Sequence, residues 1–377
     1  MARLPGTGHT GDRVRAEMHL SALREAGFET TVVGGAPHGQ RAPAIEGVAA
    51  VHGVPTRFSP FALARAAITG DPLQSALFAG PWDRTLKRAG TDFALVVVLL
   101  ARIWPQLRRS LPEAPTVLDY IDALAYAASD AARTDPALWR RLYWRVEAPR
   151  LLLVERAARA TRRLATTPFD AEHLPPGTEA LPHGVAIGPA PDAAGSRPPV
   201  VAFSGRLMYR PNELAARRLV QEIWPLVRRE IPNAELVLGG ADAPRHLRLL
   251  DGANGVRVES PVAEMPAFLR RARAVAAPVD LGSGTPNKIY EALEAGCPVV
   301  ASEGVAARAA IRGTPAPVRS ASTNAAFAAA LVDYLRDPAR ATADGAAGRR
   351  FAETHADRRE AVSHLARIFR DVARGNG

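Results

Sequence analysis

Ala277-Pro278-Val279-Asp280-Leu281-Gly282-Ser283-Gly284-Thr285-Pro286-Asn287-Lys288-Ile289-Tyr290-Glu291-Ala292-Leu293-Glu294-Ala295-Gly296-Cys297-Pro298-Val299-Val300-Ala301-Ser302 reads as a strand end, a glycine loop, a helix and a second strand. The apolar run Ala274 to Val279 enters a loop in which Gly282 and Gly284 let the backbone approach a ligand. Thr285-Pro286 can start a helix, and the first N–H groups of a helix lack intrahelical partners and attract anions. Lys288 stands at this start. It is one of two lysines, with Lys87, in a chain that holds 48 Lys+Arg and spells nearly every cation as arginine. Lys288 and Glu291 are three apart and share a helix face, where an ammonium can meet phosphate and a carboxylate can accept sugar hydroxyls. The competing reading is a solvated surface pair worth a few tenths of a kcal/mol.

Composition frames that motif. A length of 377 residues favours two domains, and 47% hydrophobic content suffices for two cores. The strongest apolar stretch, Phe93 to Leu100, is far shorter than the roughly 20 residues of a membrane helix, and the N-terminus has no apolar signal-peptide core, which reads as cytoplasmic. The single cysteine, Cys297, excludes an internal disulfide and a cysteine-rich metal site, and its apolar setting reads as a buried thiol. A net charge of +10 asks for an anionic partner. No zinc spacing, basic-aromatic ribonucleoprotein motif or lysine-rich tail supports nucleic acid. Basic residues thicken between Trp139 and Arg163, against only Glu147 and Glu155. That stretch reads either as a solvated helix face or as a surface for anionic membrane or a lipid-diphosphate acceptor, with Trp139, Tyr143 and Trp144 as interfacial anchors.

Along the chain, strands alternate with helices, the pattern of parallel α/β layers. Gly11-Asp12 opens a helix that Gly27 stops before a strand at Glu29 to Val33. Strands follow at Phe93 to Leu100, Thr116 to Tyr120, Leu164 to Thr167 and Leu181 to Val185, with a long helical region from Pro136 through Arg163. Asp119 and Asp122 sit around the end of the second of these. Pro189 to Pro199 is poor in large apolar residues and reads as a linker. Beyond it come strand Val200 to Phe203, the segment Gly205 to Asn212, a helix to about Glu230, strand Glu235 to Leu238 and Gly239-Gly240.

Gly205-Arg206-Leu207 with Pro211-Asn212, Gly239-Gly240, and Pro286-Asn287-Lys288-Ile289-Tyr290-Glu291-Ala292 with Ala295-Gly296-Cys297-Pro298 together resemble the nucleotide-sugar half of retaining GT-B glycosyltransferases. The closest look is to the family 4-like, bacterial exopolysaccharide-type sugar transferases. In the first half, Gly11-Asp12-Arg13-Val14-Arg15 resembles the acceptor-side glycine loop, and His183-Gly184-Val185 the segment before the interdomain linker. The resemblance implies two doubly wound Rossmann-like domains facing across a cleft. Residues 1–188 would form the acceptor domain, 189–198 the linker, 199–345 the donor domain, and 346–377 a terminal helix crossing back to the first domain.

Residue by residue, the resemblance implies that Glu291 binds the nucleotide ribose and that Arg206 meets the diphosphate. Gly205, Arg210, Gly239, Gly282, Ser283, Gly284, Thr285, Pro286 and Asn287 would complete the donor site, and His9, Gly11 and Asp12 the acceptor side. His9 also reads as a plain tail histidine. An acceptor hydroxyl would attack the anomeric carbon of a nucleotide diphosphate sugar with retention of configuration. The resemblance implies no obligatory metal, no cofactor and no enzyme nucleophile, leaving catalysis to Arg206, Lys288 and a helix N-terminus that neutralise the departing diphosphate.

The sequence departs from the family at three places. Ser283 replaces the first glutamate of a paired-glutamate motif, and the lysine that often follows Gly-Arg-Leu is absent, leaving Arg210 or Lys288 to supply its charge. Family members also open with an apolar strand before the glycine loop, whereas Met1-Ala2-Arg3 precede Leu4 here. Either the sheet lacks that strand or the natural product begins upstream. Two rival functions stand beside transfer: a nucleotide-sugar epimerase of the same architecture, and a non-catalytic relative that binds nucleotide or a partner.

Overall fold

The computed structural model describes residue 4 and residues 11–37, 43–280 and 287–375, with only the backbone of residues 11, 12 and 37. The chain divides into unit 1, Met1–His183 with Glu360–Gly377, and unit 2, Gly184–Arg359.

Unit 1 opens with helix α1 (Gly11–Glu25), followed by strands β1 (Thr31–Pro37) and β2 (Ala50–Thr56), which pair in parallel. Helix α2 (Pro60–Thr69) starts on Ser59, whose side chain accepts from the Ala62 N–H, and ends on the left-handed Gly70. Strands β3 (Val96–Leu99), β4 (Thr116–Asp119), β5 (Arg162–Ala165) and β6 (Thr178–Ala180) form a second parallel sheet in that order. Between β4 and β5 run helices α3 (Leu124–Thr134) and α4 (Leu138–Ala157). The last helix of the chain, α8 (Arg358–Ala373), brings Leu365, Phe369 and Val372 to a core shared with Met18, Ala22, Val117, Leu164 and Leu181.

Several elements differ from the sequence reading. The strand expected at Leu181 to Val185 lies earlier, as β6: the Leu181 N–H still bonds the Ala165 carbonyl, but Val185 makes only an isolated bridge to Asp357. The strand expected at Leu164 to Thr167 is β5, two residues earlier, because α4 ends at Ala157 and frees the chain sooner. Strand β2 was not legible, since His52, Gly53 and Pro55 interrupt its apolar pattern.

Unit 2 is a six-stranded parallel sheet, β7 (Val200–Ser204), β8 (Glu235–Gly239), β9 (Val256–Glu259), β10 (Ala274–Ala277), β11 (Val299–Ser302) and β12 (Arg319–Ala321), in the order β12-β11-β10-β7-β8-β9. Its crossover helices include α5 (Arg210–Arg218) and α6 (Asn287–Glu294). Chain order reverses between β7 and β10, and in such sheets ligands bind beyond the strand C-termini at that switch point. Phe203, Leu207, Trp224, Ile289 and Leu293 are fully buried in this core. Cys297 is buried there too, and burial pushes its thiol up to about 11.

Helix α7 (Pro338–His355) belongs wholly to unit 2, so of residues 346–377 only Glu360–Gly377 falls in unit 1. It is tied down by charge: the Glu294 carboxylate, at the end of α6, accepts from Arg349 at 2.7 Å, Arg270 at 3.1 Å and the Gly188 N–H at 3.1 Å. Arg349 also donates to the Gly188 carbonyl at 2.6 Å. Removing one partner of a buried ion pair leaves the other charge uncompensated. Arg349→Ala should therefore lower the unfolding free energy of unit 2 by roughly 3 kcal/mol in denaturant titrations. Loss of less than about 0.5 kcal/mol, the scale of an exposed pair, would show that the network does not hold α7.

Candidate functional site

The switch point of unit 2 is bordered by two loops, one leaving β7 and one leaving β10. Gly205 follows β7 with φ 146°, and its N–H bonds the Gly239 carbonyl at 3.1 Å. Gly240 lies against it with φ 148°, so closely that a Cβ at 240 would collide with the Gly205 carbonyl. A Cβ at 205 would stand 2.7 Å from the Asn212 amide nitrogen. Only glycine fits either position. A Cβ at Gly239 would instead collide with the Phe268 ring.

Asn212, near the start of α5 and 8% exposed, joins the two halves. Its Nδ2 donates to the Arg206 carbonyl at 3.0 Å, and its Oδ1 accepts from the Lys288 ammonium at 2.6 Å. Lys288 also stands 4.8 Å from the Phe203 ring centroid, a cation–π distance. Arg206 and Lys288, 82 positions apart in the chain, thus meet through one amide. Burial pushes the Lys288 amine down to about 8, against the upward pull of the Glu291 carboxylate on the same helix. The Arg206 side chain is exposed and its Nε donates to Asp242 at 2.7 Å. Arg210 sits beside them, its Nη1 3.4 Å from Glu213.

Among the described residues, buried Ser204 Oγ, Asn287 Oδ1 and Arg210 Nε, all from these segments, have no hydrogen-bond partner. Beyond β10, Asp280 is held by Arg218 at 2.7 Å. The arrangement offers two cations, polar atoms with unmet capacity and backbone free of Cβ atoms, which suits a phosphorylated ligand. Gly282, Ser283, Gly284, Thr285 and Pro286 lie outside the described residues. Asn212 was not foreseen as a site residue, although Pro211-Asn212 after Gly-Arg-Leu was its signal.

In unit 1, His9 lies outside the described residues, and Gly11 and Asp12 open α1. A buried charge cluster occupies the next turns. Arg15 Nε donates to Asp119 Oδ2 at 2.5 Å, His19 Nε2 stands 2.6 Å from the same oxygen, and Arg15 Nη1 reaches the Leu181 carbonyl at 2.6 Å and His183 Nδ1 at 3.5 Å. Burial raises the Asp119 acid, but the Arg15 guanidinium and the His19 contact outweigh it and hold the carboxyl below the usual range. Its other oxygen accepts from the Ile121 N–H, fixing a left-handed turn at Ile121 (φ 67°). Asp122 follows, and burial with the nearby Asp170 carboxylate pushes its acid up to about 7. A carboxyl so placed exchanges a proton near neutrality. Among the described residues no group of three or more His, Cys, Asp or Glu could hold a metal ion.

Residues 198–337 match the family model described as Glycosyl transferases group 1. The backbone resembles sucrose-phosphate synthase from Thermosynechococcus elongatus, with TM-score 0.73 at 16% identity over 99% of this chain and 96% of that one. The chain has a GT-B fold, and its residues 198–337 are related to the group 1 glycosyl transferases. HepE of Anabaena, solved with UDP and glucose, resembles this GT-B chain with TM-score 0.67 at 14% identity over 97% of each chain. A curated relative, the GDP-mannose-dependent alpha-(1-6)-phosphatidylinositol monomannoside mannosyltransferase of Mycolicibacterium smegmatis, is 31% identical over 204 residues, 48% of this chain. The match spans about half, 51%, of that relative's length. Arg206, Arg210, Asn212, Lys288 and Glu291 of the GT-B chain all fall inside the stretch that the family model matches.

The depressed Lys288 amine predicts pH-dependent affinity for any diphosphate bound beside it. A bound diphosphate favours the ammonium and raises its pKa in the complex, so below about 8 both states are charged and affinity is flat. Above about 8 the free protein loses the proton that the complex keeps, and affinity for a nucleoside diphosphate should fall by up to about tenfold per pH unit. Calorimetry from pH 7 to 9.5 should show this fall, with proton uptake on binding. The same slope in Lys288→Arg, which stays charged throughout, would assign the titration to another group.

Proposed function

We propose that unit 2 binds a nucleotide diphosphate sugar and that the chain transfers the sugar to an acceptor hydroxyl with retention of configuration, in polysaccharide or glycoconjugate biosynthesis. The reading rests above all on the junction at Asn212, which brings the Arg206 loop and the Lys288 helix together at the switch point of the sheet. The acceptor oxygen forms a bond to the anomeric carbon as the bond from that carbon to the diphosphate oxygen breaks. The electron pair and the acceptor's proton leave with the diphosphate. Arg206, Lys288 and the start of α6 stabilise charge on the leaving group, Arg210 adds to it, and Glu291 accepts from the ribose hydroxyls. Residues 205, 239 and 282–287 complete the donor site, and residues 9, 11 and 12 serve the acceptor. The M. smegmatis relative is named for a guanine nucleotide sugar and the HepE structure holds UDP, so the donor is to be chosen from a panel of both bases.

Lys288→Ala removes a charge-assisted contact worth about 1.5–3 kcal/mol and should weaken binding of the preferred nucleotide roughly ten- to a hundredfold. Asn212→Ala should weaken it as well, by freeing both loops, while Glu291→Ala should impair ribose recognition without unfolding the protein. Calorimetry on the folded variants decides. Unchanged affinity in Lys288→Ala would make the lysine a surface residue and end the donor-site reading. Product analysis separates the rivals: glycoside formed from acceptor and donor supports transfer, an epimerised nucleotide sugar supports the epimerase, and binding without turnover supports a non-catalytic relative.

We also place the working location at the inner face of a membrane, with unit 1 in peripheral contact and a lipid-linked, sugar or small-molecule hydroxyl acceptor. Leu138, Leu142, Val146 and Leu153 form an exposed stripe along α4, with Trp139 beside it, and Phe61 and Ile68 are exposed on α2. Both acids of α4 turn inward: Glu147 accepts from the Leu73 and Gln74 N–H groups and Glu155 from that of Ala125. Arg145, Arg156 and Arg159 stay exposed. No helix among the described residues is long and apolar enough to cross a membrane. An arginine near an anionic surface contributes about 1 kcal/mol, so Arg145→Ala with Arg156→Ala should weaken binding to anionic vesicles roughly thirtyfold. Equal sedimentation of the parent with neutral and anionic vesicles, or with neither, would remove this location.

A further inference from the structure

A parallel sheet is covered on both faces, and its strands read as aliphatic runs. One face of unit 2 departs from this over β7, β8 and β9. Ala202, Val237 and Arg257 are register partners on that face, and so are Val200 and Glu235 beside them. With Glu259 they border a cavity of about 420 Å³, within the roughly 300–1,000 Å³ of small-molecule sites. The segment over this face is the six-residue helix Met265–Arg270, whose Phe268 ring would meet a Cβ placed on Gly239, at the C-terminal end of β8. Six helical residues reach about 9 Å, whereas the five residues of β7 or β8 span about 17 Å. The cavity accordingly extends to Pro199, Val200 and Asn233, at the N-terminal ends of the strands. The Arg206 loop leaves the opposite end of β7.

Charge says what fits there. The lining holds Arg197, Arg257, Arg270 and Arg271 against Glu235 and Glu259. Both acids are engaged: Arg271 donates to Glu259 at 2.5 Å, and Arg257 stands 3.9 Å from Glu235. Arg197 is different. It is 5% exposed, and its guanidinium donates to neutral acceptors, the Asp192, Ala272 and Ala295 carbonyls and the Cys297 sulfur. Among the described residues it has no carboxylate partner. Glu294, which acts with Arg197 on the Cys297 thiol, is already shared by Arg270 and Arg349. The buried Nε atoms of Arg197 and Arg270 have no hydrogen-bond partner among the described residues. A buried guanidinium without a carboxylate leaves positive potential in a low-dielectric wall, and a concave surface focuses it.

We propose that this cavity is a second ligand site of unit 2, for a small monocarboxylate with a compact apolar body. The body rests on Ala202, Val237 and Phe268, and the carboxylate meets the guanidiniums of the lining. Glu235 and Glu259 repel a second negative charge, so dicarboxylates and phosphate esters fit less well. The site lies at the other end of the strands from the Arg206 loop and rests on no part of the donor-site reading.

Calorimetry on the full chain with three probes tests it: 2-naphthoate, its neutral amide 2-naphthamide, and 2,6-naphthalenedicarboxylate. The monocarboxylate should bind saturably at one site, about tenfold or more tighter than the amide, the scale of a charge-assisted contact, and tighter than the dicarboxylate. Val237→Phe fills the floor and should abolish binding. Glu259→Gln frees Arg271 and should strengthen it by about threefold, the scale of an exposed ion pair. Lys288→Ala should leave it unchanged. Equal affinity for acid and amide, or no gain in Glu259→Gln, would remove the charge recognition and overturn the proposal. Binding retained in a folded Val237→Phe, or lost in Lys288→Ala, would place the probe elsewhere and overturn it too, as would the absence of saturable binding by all three probes. If Val237→Phe does not fold, methyl resonances of the parent decide: ring-current shifts at Ala202 and Val237 on adding 2-naphthoate support the site, and unshifted methyls reject it.

Discussion

Unit 2 turns on the cost of partly burying an ammonium. Burial depresses the Lys288 pKa to about 8, the Glu291 carboxylate on the same helix pulls it back up, and the Asn212 carbonyl oxygen and the Phe203 face receive the charge. The ammonium is partly buried, and a charged group already held by neutral partners interacts with an anion more strongly than one free in water. The same Asn212 amide holds the Arg206 backbone carbonyl, while the Arg206 guanidinium turns to Asp242. The glycines at 205 and 240 serve this junction, since a Cβ at either would push the two loops apart.

Unit 1 is organised by a different charge problem. Asp119 is fully buried at the end of β4, where Arg15 is its counter-charge and His19, four residues further along the same face of α1, contacts the same carboxylate oxygen. That cluster pins α1 to the sheet and forces the turn at Ile121 that sets Asp122 in place. On α4 the partition runs the other way. Glu147 and Glu155 are spent on backbone N–H groups inside the unit, and the arginines remain outside beside an apolar stripe. A helix that carries five arginines and two glutamates in sequence thereby loses its acids from the outer face.

Much of the chemistry was legible because it rests on rare residue types. A lysine in an arginine-rich chain, glycines after apolar strands and a lone cysteine in an apolar run each narrow the physical options: Lys288 is partly buried against Asn212, Gly205 takes φ 146° and Cys297 is buried. Asn212 escaped notice because an asparagine near a helix start has a local explanation in capping. Its two partners, a backbone carbonyl and a lysine 76 positions away, leave no local trace. The β2 strand was missed since an edge strand tolerates Gly53 and Pro55, which read as breakers in isolation.

By itself the sequence determined the alternation of strands and helices, hence two parallel α/β layers, because apolar periodicity and glycine stops act over a few residues. It also determined which residue types were available for a phosphorylated ligand. Tertiary structure alone decided which of them meet: the order β12-β11-β10-β7-β8-β9 sets β7 beside β10 although the strands are far apart in the chain, and only that adjacency brings Arg206 to Lys288. It likewise decided that the acids of α4 face inward and that, among the described residues, β1 pairs with β2 and β3 with β4 in separate sheets. Pairing and burial depend on contacts between distant residues, and no short window of sequence carries that information.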